Sequence, residues 1–150
     1  MTREDKELLL KDLCGRVPYG VKCKYNDGVI VNTLSVNFFY EQIEGWEKYV
    51  NHTLKYDVED IKPYLFPLSS ITEEESIELF KLFEISLIDS IGADYIKINE
   101  CTGITFFLDK GFDVETHLDK LIDWLNAHHF DHRGLIEKGL AIDASGLNIY

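Results

Sequence analysis

Val21-Lys22-Cys23-Lys24-Tyr25-Asn26-Asp27-Gly28-Val29-Ile30-Val31-Asn32-Thr33-Leu34 is the stretch that decides the fold class. Residues 21 to 25 alternate apolar and charged side chains with the period of two that a half-buried strand requires. Asn26-Asp27-Gly28 supplies residues tolerant of positive φ, and a second β-branched run follows at once. Two such runs around a tight turn predict a β-hairpin. Alternation points Cys23 to the face opposite Lys22 and Lys24.

Upstream, Thr2 is placed to cap a helix over Arg3 to Cys14, with Leu9, Leu10, Leu13 and Cys14 on its apolar side. Gly15 and Pro18 are expected to end it. Downstream, residues 36 to 56 read as an irregular, partly exposed loop closing on a short strand near Thr53 to Val58. Ile61-Lys62-Pro63-Tyr64-Leu65-Phe66-Pro67-Leu68-Ser69-Ser70 is extended, because each proline drives its predecessor out of the helical region. Thr72 and Glu75 form a capping box for a long apolar helix to about Ile91. Tyr95 to Asn99 and Ile104 to Leu108 read as a second hairpin. Asp113 opens a last helix to about His128, with Val114, Leu118, Leu121, Ile122 and Leu125 as its stripe. In the tail, Leu140-Ala141-Ile142 is one short apolar segment. Strands arrive in adjacent pairs rather than alternating singly with helices. The expected class is therefore α+β, a small antiparallel sheet built from hairpins with about three helices packed on it, in one domain spanning residues 1 to 150.

Charge narrows the function classes. The 150 residues carry a formal charge of -12, and residues 41 to 100 alone hold fourteen acidic and five basic side chains. That balance argues against direct nucleic-acid binding, which needs a basic footprint. No apolar run approaches the ~20 residues of a membrane span, and the opening residues lack a signal-peptide pattern, so a cytoplasmic protein is expected. Cys14, Cys23 and Cys101 form no Cys-x-x-Cys pair, and all three are expected to be buried, reduced thiols. No Gly-x-Ser-x-Gly elbow, phosphate-binding loop or dinucleotide fingerprint occurs. No catalytic residue and no cofactor is assigned.

Two clusters remain. His128, His129, Asp131 and His132 are weak candidate metal ligands, with His117, Asp119 and Asp123 upstream. His128 and His132 have an i, i+4 spacing, yet the segment reads as a helix end, where histidines are favoured by the helix dipole alone. Phe38, Phe39, Tyr40, Trp46, Tyr49 and Tyr56 crowd into a stretch rich in glutamate. Most of these rings are expected to complete the core of a small sheet. The alternative is a protein-binding face, since Trp and Tyr dominate interface hot spots.

Three blocks carry a resemblance. Lys6 to Cys14 with Arg16-Val17-Pro18-Tyr19-Gly20-Val21, then Ile61 to Glu74, then Asp123-Trp124-Leu125-Asn126-Ala127-His128-His129-Phe130-Asp131 with Arg133 to Ala141, resemble a family of small uncharacterised proteins. That family is common in gut Bacteroides genomes, phages and mobile elements. The resemblance implies a bacterial or phage cytoplasm and carries over no catalytic residue. The expected function is a non-enzymatic protein-binding or regulatory module. A small metal-dependent enzyme built on the histidine cluster, and an acidic DNA mimic, are the alternatives.

Overall fold

The computed structural model describes residues 1–26, 28–47, 52–82, 95–99, 103–107 and 118–150. Helix α1 spans Arg3–Arg16, and strands β1 to β5 span Lys22–Tyr25, Ile30–Asn37, Gln42–Glu47, Thr53–Asp57 and Ile61–Leu65. Helix α2 (Glu73–Leu82), strands β6 (Tyr95–Asn99) and β7 (Gly103–Phe107), helix α3 (Leu118–Ala127) and strand β8 (Ile142–Asp143) follow. The main sheet runs β4-β3-β2-β1-β5-β8, and β6 pairs with β7 apart from it. All neighbours are antiparallel except β5 and β8. The fold is α+β, as the hairpin pattern predicts.

The first hairpin forms in the expected register, with Cys23 opposite Val31 and Lys24 opposite Ile30. Cys23 is fully buried, and burial pushes its thiol pKa up to about 12, so it is an inert core residue. Cys14, by contrast, is exposed, which corrects the expectation of a buried thiol. The cause lies in the helical stripe. Leu9, Asp12, Leu13 and Arg16 occupy the buried face at i, i+3, i+4 and i+7, leaving Cys14 off it. Cys101 lies outside the described residues. Gly15 does not stop α1 either. A Cβ there would meet Asn126 Nδ2 at 2.9 Å, so this glycine lets α1 and α3 approach closely. The chain turns instead at Gly20, whose φ is +73°.

Residues 36 to 56 overturn the expectation of an irregular loop. β2 continues to Asn37, a four-residue turn follows, and β3 returns to pair with both β2 and β4. Two features hide the period of two. The β2–β3 register shifts between Thr33 and Ser35, a bulge around Leu34. In β3 the inward position that should be apolar is Gly45, while Trp46 points outward. Gly45 is needed because a Cβ would stand 2.0 Å from Val31 Cγ1. Gly45→Ala is therefore expected to destabilise by about 1–3 kcal/mol through overpacking. Adding Val31→Ala should restore part of that loss in urea unfolding; a Gly45→Ala midpoint equal to the wild type contradicts this packing.

The proline-rich segment supplies β5 as a strand, pairing Pro63 with Cys23, and β8 joins it only from Tyr64 onward. The core cluster joins Leu9, Leu10 and Leu13 of α1 to Val21, Cys23, Val31, Ile43, Ile61 and Leu65 of the sheet. A second cluster joins Leu79 of α2 to Leu121, Trp124 and Leu125 of α3 and to Phe130. The capping box forms as expected, with Glu75 N donating to Thr72 Oγ1 at 3.2 Å and Thr72 N to Glu75 Oε2 at 2.8 Å. The far end of that helix, the start of the last one, Tyr49, Asp113 and His117 lie outside the described residues. Among the described residues no helix is long and apolar enough to cross a membrane.

Candidate functional sites

The histidine cluster is shaped by the way α3 ends. His129 adopts φ +58°, the left-handed conformation that usually calls for glycine. Phe130 N donates to Leu125 O at 2.9 Å and His129 N to Asn126 O at 3.2 Å, the paired bonds of a Schellman ending. The reversal breaks the i, i+4 relation between His128 and His132. His128 stacks on Trp124 (centroids 4.1 Å apart), with Nδ1 3.0 Å from Trp124 O and Nε2 3.6 Å from Glu78 Oε2. His129 is buried and stacks on Tyr150 at 3.9 Å. His132 Nε2 lies 3.0 Å from Asn126 Oδ1. Asp131 accepts backbone N–H bonds from Leu135 (2.9 Å), Ile136 (2.8 Å) and Arg133 (3.3 Å), and so fixes the turn after it. Asp119 and Asp123 are exposed on α3. The four candidate ligands thus turn to four different partners. Among the described residues no three His, Cys, Asp or Glu side chains gather where they could hold a metal ion.

Burial lowers the pKa of both His129 and His132 to about 4, with repulsion from Arg16 as the next cause in each. Both rings are neutral at physiological pH. Their surroundings contain the polar centre that sequence reading missed. Arg16 grips Asp12 through Nε (2.6 Å) and Nη2 (2.9 Å), and neither side chain has any exposed surface. The same Nη2 donates to Phe130 O at 2.8 Å, tethering the chain beyond α3 to α1. Arg133 Nε stands 3.4 Å from Asp12 Oδ1. The signal was available: Asp12 and Arg16 are i, i+4 partners on the leucine stripe, where charges must pair.

Tyr150 adds a second tie. Extending the β1–β5 register by one residue would set Lys22 opposite Tyr64. The Tyr150 hydroxyl sits there instead, accepting from Lys22 N at 3.2 Å and donating to Tyr64 O at 2.8 Å. Its ring contacts Phe66 at 5.9 Å between centroids, and the Lys22 ammonium lies 5.3 Å from its centre.

Beside these rings lies a cavity of about 310 Å³, lined by Phe66, Ser70, Thr72, Glu75, Phe130, Ser145 and Gly146. Phe66 and Phe130 meet at 6.3 Å, and Trp124 stacks on Phe130 at 5.6 Å.

A second candidate surface is the β2–β3 hairpin. Phe38, Phe39 and Tyr40 at its tip are 49%, 86% and 65% exposed, and Leu34 and Trp46 on its outer side are 53% and 40% exposed. Of the aromatic stretch, Tyr56 does enter the core. The expectation that most of these rings do so is overturned. A tight turn leaves its residues no core to reach. Its backbone is nevertheless well held. Asn37 Oδ1 accepts from both Phe39 N and Tyr40 N at 3.1 Å. Glu41, at φ +52°, accepts the Lys6 ammonium at 2.8 Å and, through its carbonyl, Val58 N at 2.9 Å. No protein-family model, curated protein or solved structure matches the chain.

Proposed function

We propose that the protein is a non-enzymatic binding module that docks another protein through its β2–β3 hairpin, in a bacterial or phage cytoplasm. The observation that carries this reading is the run of three exposed rings, Phe38-Phe39-Tyr40, on a turn whose backbone is tied at one end by Asn37 Oδ1 and at the other by the Val58 N to Glu41 O bond. Exposing three adjacent aromatic side chains is unfavourable in water, and burying such anchors is the main source of interface energy. Phe39 and Tyr40 support each other edge to face, with centroids 5.0 Å apart. Anchors already fixed in place lose little entropy on docking. A non-enzymatic role is supported by the commitment of His128, His129, His132 and the buried Asp12–Arg16 pair to internal partners.

The test compares the wild type with Phe39→Ser/Tyr40→Ser. Partners are captured from a Bacteroides lysate, purified, and titrated against both proteins. A hot-spot pair should make the variant about 30-fold weaker or worse while its thermal midpoint is unchanged. Capture of nothing by the wild type, or equal affinity in both, rejects the reading.

A further inference from the structure

We infer that the cavity between the α2 start and the Phe130 segment is a binding site for a small organic cation with an apolar body. This rests on none of the hairpin residues. An apolar cavity near 150 Å³ holds a benzene molecule, so about 310 Å³ has room for one ring or branched alkyl group and a small head group. Phe66 and Phe130 supply the apolar wall. Phe130 is held rigidly, since its N–H, its carbonyl and its ring are all engaged, by Leu125, Arg16 and Trp124.

The polar rim selects the sign of the ligand. Ser70 Oγ donates to Pro67 O at 2.7 Å, and Thr72 Oγ1 donates to Glu75 Oε2 at 3.0 Å. Their hydroxyl protons are thereby spent, and what these two groups can still offer is lone pairs. Among the described residues Glu75 is the only charged side chain lining the cavity. Both of its bonds from Thr72 use Oε2, leaving Oε1 without a partner among the described residues. The positive end of the α2 dipole, which would otherwise favour an anion, is offset by Glu73, Glu74 and Glu75 in the first turn. An apolar wall under two hydroxyls with spent protons, the Ser145 hydroxyl, which can turn a lone pair inward, and one carboxylate fits an alkylated ammonium, whose charge is diffuse and weakly hydrated, better than an anionic molecule of the same shape.

The probe is benzyltrimethylammonium, with benzyl alcohol and benzoate as neutral and anionic counterparts, followed by two-dimensional amide NMR of the full chain. Saturable shifts are expected at the Ser70, Thr72, Glu75, Ser145 and Gly146 amides with the cation and not with benzoate. Glu75→Gln keeps the capping box, because glutamine also serves at that position, and removes only the charge. It should weaken the cation about fivefold and leave benzyl alcohol unaffected. Ser145→Phe, which fills the cavity from its rim, should abolish the shifts. Shifts that never saturate or that fall elsewhere, equal binding of benzoate, or an unchanged affinity in Glu75→Gln would overturn the assignment.

Discussion

Asp12→Ala is expected to cost about 3–5 kcal/mol of stability, the loss typical of stripping one partner from a buried ion pair. Both Asp12 and Arg16 lie entirely out of solvent, and the guanidinium makes two bonds to the carboxylate. With the carboxylate gone, Arg16 keeps only Phe130 O, and the nearby Arg133 loses the anion that it faces. A buried cation left with one carbonyl is the costly outcome. Asp12→Asn, which keeps shape and removes charge, should fall between the wild type and alanine. The double replacement Asp12→Leu/Arg16→Met should recover most of the stability, since an apolar pair of similar volume avoids desolvating two ions. Its fold should nevertheless be looser around Phe130, whose carbonyl loses the Arg16 donor and keeps only His132 N. Urea unfolding of the four proteins is the measurement, with amide exchange at residues 128 to 136 as the local readout. A midpoint for Asp12→Ala equal to that of the wild type would show that the pair contributes nothing.

How much of this was legible in the sequence depends on whether local chemistry and tertiary packing agreed. They agreed in the first hairpin, where alternation and the Asn-Asp-Gly turn specify one register, and in the Thr72–Glu75 box, which needs only residues three apart. They disagreed in β3. There the inward residue is a glycine demanded by Val31 on the neighbouring strand, and the large apolar residue faces outward, so the pattern reads as noise. Gly15 misled for a related reason: it marks a close contact with Asn126 and not a helix end. The parallel pairing of β8 with β5 was likewise invisible, because two residues carry no period. The metal reading failed to gain geometry at one backbone angle. His129 in the left-handed region turns its neighbours apart, and no propensity scale favours histidine there strongly enough to foresee it. The Tyr150 hydroxyl between Lys22 and Tyr64 joins residues far apart in sequence, which spacing rules cannot see.

The same left-handed turn makes the fold sensitive to acid, and this is the second large effect. His129 and His132 are held neutral in the folded protein down to about pH 4, whereas in the unfolded chain they take up protons near 6.5. Between those values the unfolded state binds more protons. Stability should therefore be complete above about pH 7 and decline as pH falls from 6.5 toward 4, with a slope approaching about 1.4 kcal/mol per pH unit for each ring. Below 4 both states are protonated and these two rings add no further slope. The repulsions that penalise the proton come from Arg16, His128 and Lys22 on His129, and from Arg16 and Arg133 on His132, with Asp131 partly offsetting the latter. His129 is buried and only His132 is partly open to solvent, which screens its charges, so the combined loss by pH 4 should fall somewhat below the ~6 kcal/mol that two full shifts would give. Urea midpoints from pH 4 to 8 measure it. His132→Gln keeps a donor for Asn126, and His129→Asn suits the left-handed backbone; neither replacement titrates in this range. Each should flatten the profile by about one proton. The Arg16 guanidinium, which holds Phe130 O on one side of this turn and repels a second charge on the other, is why the two effects are coupled. In an Asp12→Leu/Arg16→Met background the histidines should therefore titrate closer to 6.5, and the acid limb should shrink. An acid limb of equal depth in that background and in the wild type would separate the ion pair from the histidines and leave burial, with the cations other than Arg16, as the cause of their neutrality.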